Sequence, residues 1–340
     1  MSGASPVFER IAGTKYDFGG WLGGYLTNVT ERWVKVAPLS NPGMLQMFHD
    51  RDRRPLRNLV PWAGEFAGKY LTGAVLTLRC HRDPALKAFL AEFVDQLIAC
   101  QDGDGYLGPW PADCRLTGWA PNTGEKGGHT WDAWGHYHVM TGLLLWYDQT
   151  DDPKALRCAR KIGDLLCRKF LAAPAGKRLV DTGSTEMNMA PVHSLCVLHT
   201  RTGAEKYLRL AKQLVDEFAA RGTDGPLAGD YLRTALLGNE FFQTPKPRWE
   251  SLHPIMALAE LHWITGEQQY RKAFEHVYWS ILRGDRHNNG GFSTGERAVG
   301  DPYAWGAIET CCTIAWLAMS VEMLRMTGSS IVADEIELST

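Results

Sequence analysis

Apolar positions along the chain fall mostly at helical spacing, and they recur as pairs of segments divided by one kind of turn. Tyr207-Leu208-x-Leu210-Ala211-x-x-Leu214-Val215-x-x-Phe218 repeats apolar residues at i, i+3, i+4 and i+7, the pattern of an amphipathic helix. Five short turns introduce segments of this type: Arg82-Asp83-Pro84, Asp151-Asp152-Pro153, Thr202-Gly203, Thr265-Gly266 and Thr327-Gly328. The anchors that follow them, Leu86, Leu156, Tyr207, Tyr270 and Val332, lie 70, 51, 63 and 62 residues apart. Glycine closes a first helix in the left-handed conformation, and proline suits the first position of a second. The predicted unit is a helical hairpin, present five times.

A period above 50 residues with long loops between hairpins fits a toroid better than an open solenoid. The expected fold is all-α, an (α/α)6-type toroid or barrel of helical hairpins, forming a single domain over residues 1–340. The second helix of the fifth hairpin begins near Ser329 and the sequence stops at Thr340, so a sixth, closing hairpin is expected to be missing. In a toroid the segments that enter each first helix converge on one cleft. These are residues 62–65, 131–138, 186–193, 249–253 and 296–312. Strand signals are few, the best being 290–298.

Composition narrows the classes. Of 340 residues, 45% are hydrophobic and 22% charged, as in an ordinary globular protein. The net charge of −2 gives no electrostatic case for nucleic acid or an anionic membrane. The run Arg51-Asp52-Arg53-Arg54 reads as a solvated loop. Residues 1–19 hold no signal core and no segment reaches membrane-spanning length. The eight cysteines show no disulfide framework. Cys80, Cys100, Cys158, Cys167 and Cys196 sit at apolar helical positions, which suggests a reducing compartment and a cytoplasmic location. Thirteen tryptophans, many in polar Gly/Pro segments (Trp110, Trp119, Trp131, Trp134, Trp249, Trp305), can serve as sugar-stacking platforms or as core filling.

Chemistry concentrates in Glu309-Thr310-Cys311-Cys312, a carboxylate and two thiols that are metal-ligand types. On a regular helix Glu309 shares a face with Cys312, not with Cys311. Glu309 and Cys311 can meet only if the helix begins there. The bland alternative is two small cysteines packed in a helix. Thirteen residues earlier, Gly290-Gly291-Phe292-Ser293-Thr294-Gly295-Glu296 is a glycine-bearing loop ending in an acid, the residue type of a glycosidic general acid or of a plain solvated loop. Trp131, Asp132 and His138 cluster at the mouth of the second hairpin, and His253 opens the fourth just before Pro254. Asp102-Gly103-Asp104 starts like a calcium loop but lacks glycine at the sixth position and glutamate at the twelfth, and reads as a turn.

The order of Trp62-Ala63-Gly64-Glu65-Phe66, Asp104-Gly105-Tyr106-Leu107-Gly108, the Thr-Gly turns, Gly295-Glu296 and Glu309-Thr310-Cys311 resembles the catalytic domain of glycoside hydrolase family 127, the β-L-arabinofuranosidase-like family. The resemblance spans residues 15–340. It implies an (α/α)6 barrel usually followed by β-sandwich domains, which are expected to be absent from residues 1–340. It implies retaining cleavage of a β-L-arabinofuranoside by a zinc-bound cysteine with a glutamate acid/base. Carried over by position, Glu296 is the acid/base, and Glu309 and Cys311 are zinc ligands with Cys312 beside them. His138 and His253 match active-site histidines, and Glu65 and Trp131 lie at the substrate face. Asn188 stands where a third histidine is expected. The family's nucleophile lies in a second Cys-Cys pair further along than Thr340. A retaining pair implies reacting groups about 5–5.5 Å apart. The partners implied are zinc and a carbohydrate, with a homo-oligomer compatible.

Three other readings remain open. A metal-independent sugar enzyme on the same toroid, an unsaturated uronyl hydrolase or a sugar epimerase, would leave Cys311 and Cys312 as packing. A lanthionine-cyclase-like zinc toroid would spread its Cys and His ligands over separate loops. A non-catalytic carbohydrate-binding fragment would need neither acid nor thiol.

Overall fold

The computed structural model describes residues 3–11, 14, 16–221, 227–292 and 295–340. It is predominantly helical and falls into two compact units, Ile11–Phe170 and Leu171–Thr340 with Met1–Arg10. Among the described residues the only strands are β1 (Trp119–Ala120) and β2 (Gly128–His129), which pair antiparallel. The described residues of the segment 290–298 form no strand and contribute one isolated bridge, Arg297 to Arg248.

The first unit holds α1 (Gly20–Val29), α2 (Ala37–Ser40), α3 (Gly43–His49), α4 (Phe66–Cys80), α5 (Pro84–Ala99), α6 (Asp132–Thr150) and α7 (Pro153–Phe170). Helices α4–α5 and α6–α7 are the first two hairpins. Asp83 caps α5, its carboxylate accepting from the amides of Ala85 (2.9 Å) and Leu86 (3.0 Å), with Pro84 in the first turn. The two members of a hairpin differ in burial. Helix α6 is buried nearly all round, whereas α7 buries one stripe, Ala155, Cys158, Ala159, Ile162, Leu166 and Phe170. Helices α4 and α6 approach through glycine: a Cβ on Gly68 would overlap the backbone of His138 and Val139, and one on Gly135 would press on Gly64. Arg51 departs from the solvated-loop expectation. It is buried, donates to the Cys100 carbonyl (2.8 Å), pairs with Asp102 and lies over the Tyr106 ring. The turn at Asp102–Tyr106 is closed by its own backbone bonds and this ion pair.

The second unit holds α8 (Thr185–Asn188), α9 (Pro191–Thr202), α10 (Glu205–Glu217), α11 (Tyr231–Leu236), α12 (Leu252–Thr265), α13 (Gln268–Gly284), α14 (Thr310–Thr327) and α15 (Ser330–Ser339). Hairpins three to five are α9–α10, α12–α13 and α14–α15. Their turns share one geometry. Gly203, Gly266 and Gly328 take φ of 67°, 75° and 65° and donate their amides to His199, His262 and Leu324. The threonine before each glycine donates its hydroxyl to the carbonyl four residues back at 2.7 Å. The same oxygen accepts from the amide two residues on, at 3.2–3.3 Å. Each Thr-Gly pair thus satisfies helix-end carbonyls and opens the next helix.

Residues 4–9 dock on the second unit. The Ala4 amide donates to the Trp263 carbonyl (3.1 Å), the Val7 amide to the Arg325 carbonyl (2.7 Å), and Glu9 pairs with Arg325 (2.5 Å). Among the described residues no helix is long and apolar enough to cross a membrane.

Candidate active site

An aromatic row underlies the polar cluster of the second unit. Phe241, Trp249, Phe292, Trp316 and Tyr278 contact one another in sequence, with ring centroids 6.1, 4.9, 5.3 and 4.5 Å apart. All five are fully or almost fully buried. Phe292 is therefore the anchor of the glycine loop, and its carbonyl accepts the Glu309 amide at 3.0 Å. Ser293 and Thr294 of that loop lie outside the described residues. Beyond them Gly295 and Glu296 both take positive φ, 63° and 61°. For a glutamate this left-handed backbone is uncommon and held by its surroundings.

Those surroundings are the segment 245–251. Pro245 and Pro247 favour extended backbone on either side of Lys246. The Tyr231 hydroxyl bonds Ser251 Oγ (2.6 Å), which donates on to the Lys246 carbonyl (3.0 Å). From this braced segment the Trp249 amide donates to the Glu296 carbonyl (3.2 Å), while the Ala298 amide returns to the Pro247 carbonyl (2.7 Å). Arg248 then reaches two acids. Its Nε and Nη2 bond Glu250 at 3.0 and 2.7 Å, and Nη2 also pairs with Glu296. Burial, then the charge of Glu250, push the Glu296 carboxyl above the usual range; Arg248 opposes and Glu309 adds to the rise. Arg248 was not reached from sequence and Glu250 only as part of the segment 249–253, although an arginine and an acid flanking a tryptophan at a first-helix entrance is a readable signal.

Helix α14 starts at Thr310, so Glu309 is its N-cap with extended backbone (φ −112°, ψ 126°) and makes no cap hydrogen bond with its side chain. Its carboxylate instead accepts from Cys311 Sγ at 2.6 Å. The helix start removes the i, i+2 conflict that a regular helix would impose. Cys311 is exposed, Cys312 is buried, and their sulfurs are 3.9 Å apart. The donor atoms of Glu309, Cys311 and Cys312 all lie within 4.8 Å of one another. Two sulfurs on a tetrahedral zinc at 2.3 Å would stand about 3.8 Å apart, which the observed pair matches. The Glu309 oxygen would have to open by about 1 Å from its hydrogen-bonded distance, allowing roughly 3.5 Å between O and S ligands. The three residues fit a metal in number and type. The Cys312 thiol is pushed far above its ordinary value by its contact with Cys311, then by burial and the charges of Cys311, Glu309 and Glu250. A divalent cation would reverse that balance.

His253 stands in the first turn of α12, two residues past Ser251, and is partly buried. Asn188 is buried and donates to the Gly183 carbonyl (2.9 Å), closing α8.

Glu65, Trp131 and His138 belong to the first unit and form a cluster there. Trp134 donates its indole N–H to Glu65, whose other oxygen pairs with Lys69 at 2.9 Å. The Trp134 ring meets His138 edge-on at 4.4 Å. Glu65 and His138 are buried, while Trp131, at the N-cap of α6, rests on half-exposed Trp62 at 5.3 Å. Asp132 is structural: it accepts from the Tyr106 hydroxyl and the Leu116 amide (2.7 Å). Of the tryptophans expected as platforms, Trp110, Trp134 and Trp249 are core, whereas Trp119 and Trp305 are exposed.

A family model described as the β-L-arabinofuranosidase, GH127 catalytic domain, matches residues 25–339. A non-reducing end β-L-arabinofuranosidase of Bifidobacterium longum subsp. longum is 30% identical over 177 residues, 51% of this chain and 25% of that protein. A solved GH127 β-arabinofuranosidase superposes with a TM-score of 0.71 at 18% identity, covering 95% of this chain and 52% of that one. A GH127 β-L-arabinofuranosidase from Geobacillus stearothermophilus T6 gives 0.71 at 17% identity, over 96% and 55%. The chain thus spans about half the length of these solved relatives and shares their fold, of the all-α helical-hairpin class. A match that runs through all five hairpins places the chain in the GH127 β-L-arabinofuranosidase catalytic-domain family.

Proposed function

We propose that the chain supplies the acid/base and part of the zinc site of a glycoside hydrolase that cleaves a β-L-arabinofuranoside or a related glycoside with retention. One observation carries the reading: the loop acid Glu296 and the donor group Glu309, Cys311 and Cys312 are built onto one aromatic floor, joined by the Phe292–Glu309 backbone bond. Family membership and the names of its relatives support the substrate class. The family match crosses both units, which supports treating residues 1–340 as one catalytic domain.

Glu296, with its carboxyl raised above the usual range, acts as the acid that protonates the leaving oxygen and then as the base that draws a proton from water. Glu309, Cys311 and Cys312 hold zinc, which when bound lowers thiol pKa values and keeps a thiolate nucleophilic at neutral pH. The α14 N-terminus beneath the cysteines favours the thiolate form. His253 is a substrate contact from α12. In the first unit, Trp131 with Trp62 offers an apolar face to a sugar, and Glu65 and His138 hold the Trp134 ring. All eight cysteines are free, which supports a reducing, cytoplasmic setting; self-association is compatible with the exposed apolar residues.

The test combines metal analysis with hydrolysis of an aryl β-L-arabinofuranoside. About one zinc per chain and turnover that falls on Glu296→Gln support the reading. Full activity after exhaustive chelation would point to a metal-independent toroid enzyme. Hydrolysis of another aryl glycoside alone would move the substrate and keep the chemistry.

A further inference from the structure

We propose that Arg248 is the positioning residue of Glu296, and that Glu250 is the counter-ion that lets Arg248 release it. The inference rests on the role given to Glu296 above. Arg248 meets Glu250 through two nitrogens, Nε to Oε2 at 3.0 Å and Nη2 to Oε1 at 2.7 Å. It meets Glu296 through Nη2 alone. A two-point fork on one acid and a single contact on the other make Glu250 the anchor and Glu296 the exchangeable partner. Exposure follows the same order: the Glu250 side chain is 17% exposed and that of Glu296 41%.

The charge count gives the device its sense. Arg248 and Glu250 form a neutral pair, and an ionised Glu296 is one anion in excess. A protonated Glu296 leaves the cluster neutral. Arg248, half-buried, never faces an uncompensated state when Glu296 turns toward a leaving oxygen, because Glu250 stays on it. The remaining charges felt by the cluster are Glu309 at the start of α14, which faces Glu296, and Glu186 in α8, which acts on Arg248 and pairs with Lys246 at 3.4 Å. The backbone bonds of Trp249 to Glu296 and of Ala298 to Pro247 fix the segments, so that only the side chains move.

The experiment follows the Glu296 carboxyl by side-chain ¹³C NMR across pH, in the full chain, with the resonance assigned through Glu296→Gln. Glu250→Gln frees the whole Arg248 charge for Glu296, and the titration midpoint is expected to fall by about one pH unit. Arg248→Met leaves two acids facing each other, and the midpoint is expected to rise by a similar amount. Arg248→Lys, which keeps the charge without the fork, restores part of the shift. Opposite displacements support the proposal, because a residue that merely holds the loop together would move both variants alike. Shifts in one direction, or none, overturn it. If Arg248→Met does not fold, Glu250→Gln and Arg248→Lys decide the sign. Aryl glycoside hydrolysis by the wild type is measured separately: opposite shifts in a chain without glycosidase activity would remove the functional reading and keep the pairing. Normal hydrolysis without the shifts would do the reverse.

Discussion

Cys311 Sγ meets Glu309 Oε1 at 2.6 Å because Glu309 stands outside the helix that Cys311 has already entered. Two residues apart, they would point to different sides of a regular helix. The pair therefore depends on where α14 begins, and on the Phe292 carbonyl that holds the Glu309 amide. Metal binding is expected to need both. Cys311→Ser should weaken zinc binding at least tenfold, and Cys312→Ser should do so as well, since its sulfur completes the three-donor group. Equilibrium dialysis with metal detection reads both. Unchanged stoichiometry in both variants would remove the cysteines from the site.

Glu296 is expected to work as a proton donor above the ordinary carboxylate range. Burial and Glu250 raise it, with Arg248 pulling the other way. An acid must be protonated to donate, so the alkaline limb of kcat/KM should lie above pH 4.5, the ordinary glutamate value. Glu296→Gln should cost on the order of 10²–10⁴ in rate and abolish that limb. A pH–rate profile across pH 4 to 9 checks both, and a variant with an intact limb would assign it to another group.

Phe292 is expected to control the site from beneath. Its ring fills the gap between Trp249 and Trp316, and its backbone joins the acid loop to the α14 cap. Phe292→Ala should cost about 3–5 kcal/mol in unfolding free energy. It should also weaken zinc binding, though no ligand is altered. Denaturant melts and metal titration would separate the two effects; a large stability loss with unchanged zinc affinity would show that the loop is not needed for the cap.

Glu260 carries a pH dependence away from the site. Burial first, then the charge of Glu322, push its carboxyl up to about 7, while Arg325 and Arg201 oppose and Glu9 adds slightly. A raised acid contributes its stability fully below the ordinary value of 4.5 and loses it as pH climbs to 7. The wild type should therefore lose, relative to Glu260→Gln, up to about 3 kcal/mol between pH 4.5 and 8. Thermal melts of both proteins at pH 5 and 8 test the sign. A variant that loses stability in parallel with the wild type would exclude Glu260 as the cause.

The five hairpins were legible because each carries a strong local signal: a stripe of apolar residues, a capping aspartate or a Thr-Gly pair. What the threonine does was not, since its bonds run to a carbonyl four residues back and an amide two residues on, and hydropathy does not record them. Helices α1, α2, α3, α8 and α11 escaped for different reasons. The last four have four to seven residues, too short for a period, and α1 buries none of its residues, with Trp21 82% exposed. The Glu309–Cys312 cluster was visible as neighbouring donors. Arg248, and with it the role of Glu250, was hidden because the contact that matters, Arg248 to Glu296, joins residues 48 apart. Arg51 was misjudged for the same reason: its partners, Cys100 and Asp102, lie about fifty residues on.

The docking of residues 4–9 on Trp263 and Arg325 gives the chain an order in time. A ribosome completes the whole of 11–170 before any partner of this segment exists. At translation speeds of about 5–20 residues per second, the segment waits on the order of 15 to 60 s for its partners. During that interval the amides of Ala4 and Val7 and the carboxylate of Glu9 lack the partners that they have in the finished fold. Completing the second unit thus requires a segment made before 11–170 to meet helices made after it, and a bulky fusion ahead of residue 4 would hinder that step more than the folding of 11–170.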